Sequence, residues 1–288
     1  MTSPSIILAA GGTGGHLYPA EALAQELLER GYQVVIITDR RGAAFQKLGD
    51  RVHIDCVRAA TFRPGVLSKL RAMWDICIGI MQAARLIKKY KPSVVVGFGG
   101  YPSFPTVFAG QRLGYKTILH EQNAVLGKAN LWLAGSADVI AASLPIEHDG
   151  VIVTGNPVRA GICAVRDKPY PSPAGTLEIF ITGGSQAAKV FSEVVPAAVR
   201  LLPQEIKSRL HIVHQCREGD MEATAEKYRV AGVRADIRPF FHDMPERYAA
   251  CHLFIGRSGP STVAEIAVVG RPAIFVPYWH ERLCRSAA

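Results

Sequence analysis

A run of glycines between two ordered segments constrains this chain more than any other feature. Ala9-Ala10-Gly11-Gly12-Thr13-Gly14-Gly15-His16 follows a short apolar stretch, Ser5 to Ala10, that reads as a buried strand. It precedes an amphipathic stretch, Pro19 to Arg30, that reads as a helix with proline near its first turn. Strand, glycine turn and helix together form an anion cradle. Glycine lets the backbone come close to an anion and aim its N–H groups, and the helix N-terminus adds the positive end of its dipole. A bare β–α turn needs one glycine. Four of them among residues 11–16, with Thr13 and His16 beside them, favour a ligand loop.

The dinucleotide fingerprint Gly-x-Gly-x-x-Gly fails here, because a start at Gly12 puts its third glycine at Leu17. The Walker pattern fails as well, since no Gly-Lys-Ser/Thr follows. What remains is a diphosphate-sized cradle with an imidazole at its exit.

A chain of 288 residues, half of it apolar, has material for two cores of ordinary size. The net charge of +9 points to an acidic partner, which could be nucleic acid, an anionic membrane surface or a phosphorylated substrate. The six cysteines are scattered, and no Cys-x-x-Cys or paired histidines occur at metal-ligand spacing. No metal or cofactor is therefore expected, and the cysteines read as buried thiols of a reducing compartment. No basic leader precedes the first strand, which suggests a cytoplasmic protein. The longest apolar stretch, Ala72 to Leu86, is interrupted by Asp75 and is too short to span a bilayer.

The first half alternates strand and helix. Gln33 to Thr38 is a second strand ending at Asp39, Val52 to Val57 a weaker third, and Val94 to Val96 another, which implies a parallel sheet. Between them, Leu67, Leu70, Trp74, Cys77, Met81, Ala84 and Ile87 recur at helical spacing within Phe62 to Lys91, and such a stripe reads first as core. The surrounding Lys69, Arg71, Arg85, Lys88 and Lys89 raise a second reading, a helix laid against anionic headgroups with Trp74 or Met73 at the interface. Gly97 to Ser103 is a second glycine turn before a helix. The strand Lys116 to Leu119 then delivers His120-Glu121-Gln122-Asn123, four polar side chains where a strand ends. Loops after parallel strands of one sheet open on one edge, where ligands collect.

A proline-bearing stretch, Lys168 to Pro173, follows the turn Gly155 to Arg159, and the domain boundary is set there: residues 1–159 and 160–288. The opening motif then returns in altered form. Leu177 to Thr182 reads as a strand, Gly183-Gly184-Ser185-Gln186-Ala187-Ala188 as a turn and Lys189 to Leu202 as a helix. The expected fold class is α/β, two Rossmann-like parallel-sheet domains facing a cleft. Near the end, a helix starting at about Ser261 carries Glu265 one turn in. On physics alone this carboxylate is either a dipole partner or a ribose acceptor.

Gly11 to Pro19, Gly97 to Ser103, His120 to Asn123 with Gly127 and Asn130, Gly155 to Arg159, Gly183 to Gln186 and Ser258 to Pro277 occur in an order that closely resembles the MurG family of bacterial peptidoglycan glycosyltransferases. The resemblance covers the chain through Tyr278. It implies a GT-B glycosyltransferase, peripheral to the cytoplasmic face of the inner membrane. Such an enzyme moves N-acetylglucosamine from UDP to the C4 hydroxyl of the muramyl sugar of lipid I, the undecaprenyl-diphosphate-linked pentapeptide. It inverts the anomeric centre, without metal or nucleic acid.

By that resemblance the first domain holds the acceptor, through Gly14, Gly15, His16, Gly99, Gly100, Tyr101 and Ser103, and the second holds the UDP-sugar. Donor contacts fall to Thr13, Gly14, Gly15, Asn123, Arg159, Ser185, Gln186, Glu265 on the ribose, and the backbone from Phe241 to Met244 on the uracil. An inverting transfer needs a base for the acceptor hydroxyl, and His16 is the candidate. Its alternative role is substrate binding alone. Glu121 and Asn123 complete the catalytic set by orienting the acceptor.

The chain departs from the family twice. Ala187 stands where the family loop has glycine, and Trp279 to Ala288 bears no likeness to the family's Gln-x-x-Asn-Ala segment. The second departure reads as a truncated or frame-shifted C-terminus. It keeps open an alternative, an inactive homologue that binds a UDP-sugar and membrane without turnover.

Overall fold

The computed structural model describes residues 4–12, 14–39, 42–61, 64–184 and 187–277. They form two compact units, Met1–Arg159 and Ala160–Ala288. The first comprises β1 (Ser5–Ala9), α1 (Gly14–Glu29), β2 (Gln33–Thr38), a 3-10 segment (Gly42–Arg51), β3 (His53–Cys56), α2 (Val66–Tyr90), β4 (Val94–Gly97), α3 (Gly100–Arg112), β5 (Thr117–Glu121), α4 (Lys128–Ala134), β6 (Val139–Ala142) and β7 (Val151–Val153). Its strands form one parallel sheet in the order β3-β2-β1-β4-β5-β6-β7.

The strands of this sheet read as unbroken apolar runs because helices cover both faces. On β1, Ile7 and Ala9 join Val35, Ile37 and Val95 beneath Ala83 and Ile87 of α2 and Val107 and Ala109 of α3. The intervening Ile6 and Leu8 join Val34, Ile36 and Val96 beneath Leu17, Ala20 and Ala24 of α1. Ile7 and Leu8 are fully buried, and each such side chain contributes about 1.5–3 kcal/mol by leaving water.

Helix α2 corrects one expectation. Its core face consists of Ala72, Gly79, Ala83 and Ile87, whereas Leu67 (83% exposed), Leu70, Trp74 (66% exposed), Cys77 and Met81 face outward. Small residues decide which face packs. A Cβ on Gly79 would lie 1.9 Å from the Arg58 carbonyl oxygen, so the helix seats where its side chains are smallest.

The second unit comprises α5 (Ala160–Cys163), β8 (Leu177–Thr182), α6 (Lys189–Arg200), α7 (Gln204–Lys207), β9 (Leu210–Gln215), a 3-10 turn (Glu218–Asp220), α8 (Met221–Ala231), β10 (Arg234–Arg238), α9 (Met244–Ala250), β11 (Leu253–Arg257), α10 (Pro260–Val269) and β12 (Ala273–Val276). The order β10-β9-β8-β11-β12, again parallel, repeats the first five positions of the other sheet. Ala187 has φ 50°, the left-handed conformation that costs an L-residue about 1–2 kcal/mol. The departure from glycine noted in the sequence therefore falls where glycine's freedom matters.

The cysteines also depart from expectation. Among the described residues Cys216 and Cys251 are buried, but Cys56 and Cys77 are exposed. Burial pushes the Cys251 thiol up to about 12.

Candidate active site

In the first sheet the direction of strand succession reverses between β1 and β4, and ligands of open α/β sheets bind at such a switch point, beyond the carboxyl ends of the strands. The loops after β1 and β4 flank it. Helix α1 begins at Gly14, five residues before the expected start, so Gly14 and Gly15 form its first residues and His16 lies in its first turn. Gly12 takes φ 89° to turn the chain, and a Cβ on Gly11 would meet Pro102 at 2.6 Å, so the two loops touch. Gly99 and Gly100, at φ 76° and 70°, lead into α3. A Cβ on Gly100 would stand 3.3 Å from Nε2 of His16, so this glycine leaves room at that edge of the imidazole. The buried Ser103 donates its hydroxyl to the Gly100 carbonyl at 3.0 Å, and the Tyr101 hydroxyl donates to Asp39 at 3.1 Å.

The other edge of His16 is anchored. Nδ1 lies 2.8 Å from the Phe98 carbonyl oxygen and 3.0 Å from Oε1 of Gln122. A carbonyl only accepts, so Nδ1 carries the proton, and in the neutral ring Nε2 holds the lone pair. A half-buried imidazole with its unprotonated nitrogen beside a glycine can accept a proton from a substrate hydroxyl.

Strand β5 runs two residues past its expected end, so His120 and Glu121 are strand residues and both are buried. The Glu121 carboxylate is fully engaged. Oε1 accepts from the backbone N–H and side-chain amide of Asn123 (3.0 and 2.7 Å), and Oε2 accepts from the Gly127 N–H and the Asn130 amide (2.9 and 2.8 Å). That geometry departs from the acceptor-orienting role expected of Glu121 in the catalytic set: its oxygens hold residues 121–130 together, and all four of their acceptor positions are taken. Asn123 is exposed beside it.

The guanidinium of Arg159 lies 4.2 Å above the ring of Tyr18, one position past the buried Leu17 on α1. Arg159 is thereby brought beside the glycine turn of its own unit. In the second unit Glu265, in the second turn of α10, is 4% exposed and accepts from the Tyr248 hydroxyl at 3.2 Å. The side chain of Phe241 is core, packed edge-on against Phe180, so only its backbone can meet a ligand. Met244 opens α9 and is half-buried. Thr13, Ser185 and Gln186 lie outside the described residues. No group of three potential metal ligands occurs among the described residues. Gln122, Asn130, Asp39 and Tyr18 join the site beyond the residues assigned from sequence.

Two Rossmann-like parallel sheets, each with a glycine turn between its central strand and the next helix, are the fold class of the GT-B glycosyltransferases. Residues 6–142 match the glycosyltransferase family 28 N-terminal domain and residues 178–283 its C-terminal domain. A UDP-N-acetylglucosamine–N-acetylmuramyl-(pentapeptide) pyrophosphoryl-undecaprenol N-acetylglucosamine transferase of Rhodospirillum centenum is 51% identical over 97% of this chain and 76% of its own length. The transferase of the same name from Brucella abortus is 44% identical over 96% of this chain and 75% of its own length. Among solved structures, MurG of Acinetobacter baumannii superposes with a TM-score of 0.73 at 32% identity, covering 96% of this chain and 78% of that one. The chain belongs to glycosyltransferase family 28 and, within it, to the family of these N-acetylglucosamine transferases. The kitacinnamycin glycosyltransferase, at 15% identity and a TM-score of 0.69 over 100% of this chain and 84% of that one, shares the fold.

Proposed function

We propose that this chain transfers N-acetylglucosamine from UDP-N-acetylglucosamine to the C4 hydroxyl of the muramyl sugar of lipid I, giving lipid II with inversion at the anomeric carbon. The observation that carries the reading is His16, whose Nδ1 is held by two carbonyl oxygens, so that the neutral ring turns its Nε2 lone pair toward Gly100 at the switch-point loops. The family membership supports the substrates. In the proposed step Nε2 takes the C4 hydroxyl proton as that oxygen bonds to the anomeric carbon, and the bond to the UDP oxygen breaks with its electron pair leaving on the diphosphate. Gly14, Gly15, Gly99, Gly100, Tyr101 and Ser103 line the acceptor side, and Asn123 orients the sugar. Glu265 meets the ribose, backbone from Phe241 to Met244 the uracil, and Ser185 and Gln186 the diphosphate. Helix N-termini and Arg159 stabilise the phosphate charge in place of a metal ion. The test is transfer of labelled N-acetylglucosamine to a short-chain lipid I analogue with EDTA present. Product is expected, and a folded chain that makes none would overturn the reading in favour of binding without turnover.

The same reading makes the protein peripheral to the cytoplasmic face of the inner membrane. No helix among the described residues is long and apolar enough to cross a bilayer. The outward face of α2 supports the surface role. Val66, Leu67, Leu70, Met73 and Trp74 are exposed, with Lys69 and Arg71 exposed among them, and Asp75 is paired with Arg58 at 3.3 Å. Basic residues at an anionic surface contribute about 1 kcal/mol each. Replacing Lys69 and Arg71 by Glu is therefore expected to weaken binding to phosphatidylglycerol vesicles about tenfold or more, with wild-type binding falling as salt rises. Equal binding to oligonucleotides in the same titration would move the basic charge to a different partner.

A further inference from the structure

The polar chain behind His16 extends further than a base requires. Gln122, 1% exposed, presents Oε1 to His16 Nδ1 at 3.0 Å and its amide nitrogen to Nδ1 of His120 at 2.9 Å. His120, 5% exposed, reaches the Gly155 carbonyl oxygen through Nε2 at 3.2 Å. Both ends of this chain are carbonyl oxygens, which fixes every proton between them. The Gly155 carbonyl can only accept, so His120 is protonated on Nε2 and offers Nδ1 as an acceptor. That acceptor calls for the NH2 end of Gln122, which turns the amide oxygen toward His16. The Phe98 carbonyl at 2.8 Å favours the same answer from the other side, so the two acceptors together hold the proton on His16 Nδ1 and either one alone holds it less firmly. A reversed amide would set NH2 against N–H at His16 and leave oxygen facing a lone pair at His120. Desolvation holds His120 below the usual imidazole range, so it stays neutral, as this pattern needs.

We propose that Gln122 is a positioning residue for the transfer, with His120 as its orienting partner: together they keep the His16 proton on Nδ1 and Nε2 available to the acceptor hydroxyl. The proposal rests on the reading of His16 as base, and it concerns groups that themselves touch no substrate. A neutral amide in this place stabilises the imidazolium formed in the step through its oxygen, without the permanent charge that a carboxylate would bring.

The test compares Gln122→Met and Gln122→Glu with the wild-type chain. Gln122→Met is expected to lower kcat about tenfold with KM for UDP-N-acetylglucosamine unchanged, because the Phe98 carbonyl remains as one anchor. In 15N spectra of histidine-labelled protein the His16 signal should move toward the Nε2–H tautomer. Gln122→Glu restores an acceptor and adds charge, so kcat should recover in part and the acidic limb of its pH profile should move to higher pH. In a His16→Ala background, Gln122→Met should lower kcat no further, since it acts only through the ring. An unchanged His16 tautomer in folded Gln122→Met, or an equal loss in the His16→Ala background, overturns the proposal. The tautomer measurement needs no turnover, so it stands apart from the base reading, which fails if His16→Ala alone keeps full activity.

Discussion

His16→Ala is expected to lower the transfer rate by about 10²–10⁴, the range over which a positioned base contributes, while the thermal midpoint and KM for UDP-N-acetylglucosamine stay near wild type. Small structural cost follows from the site. The imidazole is half-buried, and the two oxygens it leaves, on Phe98 and Gln122, can be reached by water entering the vacated volume. Single-turnover transfer with saturating donor measures the chemical step directly. A loss below tenfold would reduce the ring to a substrate contact and return the search for a base to the rest of the loop edge.

Glu121→Ala produces the other large effect, and it is on stability. Four donors converge on one buried carboxylate, and they come from Asn123, Gly127 and Asn130. Removing it leaves the buried Asn130 amide without this acceptor and frees the loop from 123 to 127 that the carboxylate ties down, at an expected cost of about 3–5 kcal/mol. Urea unfolding of the first unit's transition should show a lower midpoint, with activity lost in proportion to the folded fraction. Glu121→Gln isolates the chemistry, because its NH2 would oppose one of the donors but most of the shape survives. If that variant is as stable as wild type and still loses transfer by more than about 100-fold, the carboxylate has a chemical role after all.

Much of this architecture is written locally. β-branched runs bounded by glycine turns mark β1, β2, β4 and β8, and their continuous apolar character follows from burial on both faces. The start of α1 was harder to read, because Gly14 and Gly15 are poor helix formers. Tertiary packing of Leu17, Ala20 and Ala24 outweighs that propensity. β6 and β7 escaped notice because four and three residues carry too little periodicity. Periodicity also could not say which side of α2 packs, since both sides are apolar and the choice turns on small residues fitting the Arg58 carbonyl.

The site was legible as a cluster but not as roles. His120-Glu121-Gln122-Asn123 announced a polar strand end. The alternation of an extended chain carries one further clue: residues two apart share a side. His120 bonds Gln122, and Glu121 bonds Asn123, in that pairing. What the string of letters lacks is the partner set nine residues on, Asn130 above all, which consumes Glu121.

Asp39 follows β2 and lies close to the first glycine turn, where a Cβ on Gly11 would be 3.3 Å from its carboxylate. In dinucleotide-binding folds an acid at that place reads a ribose diol. Here the Tyr101 hydroxyl is already seated on it. A nucleotide seeking this berth must first strip a charge-assisted hydrogen bond, typically about 1.5–3 kcal/mol, before gaining one of its own. One phenol thus sets a toll of that size on any ribose diol presented to this carboxylate.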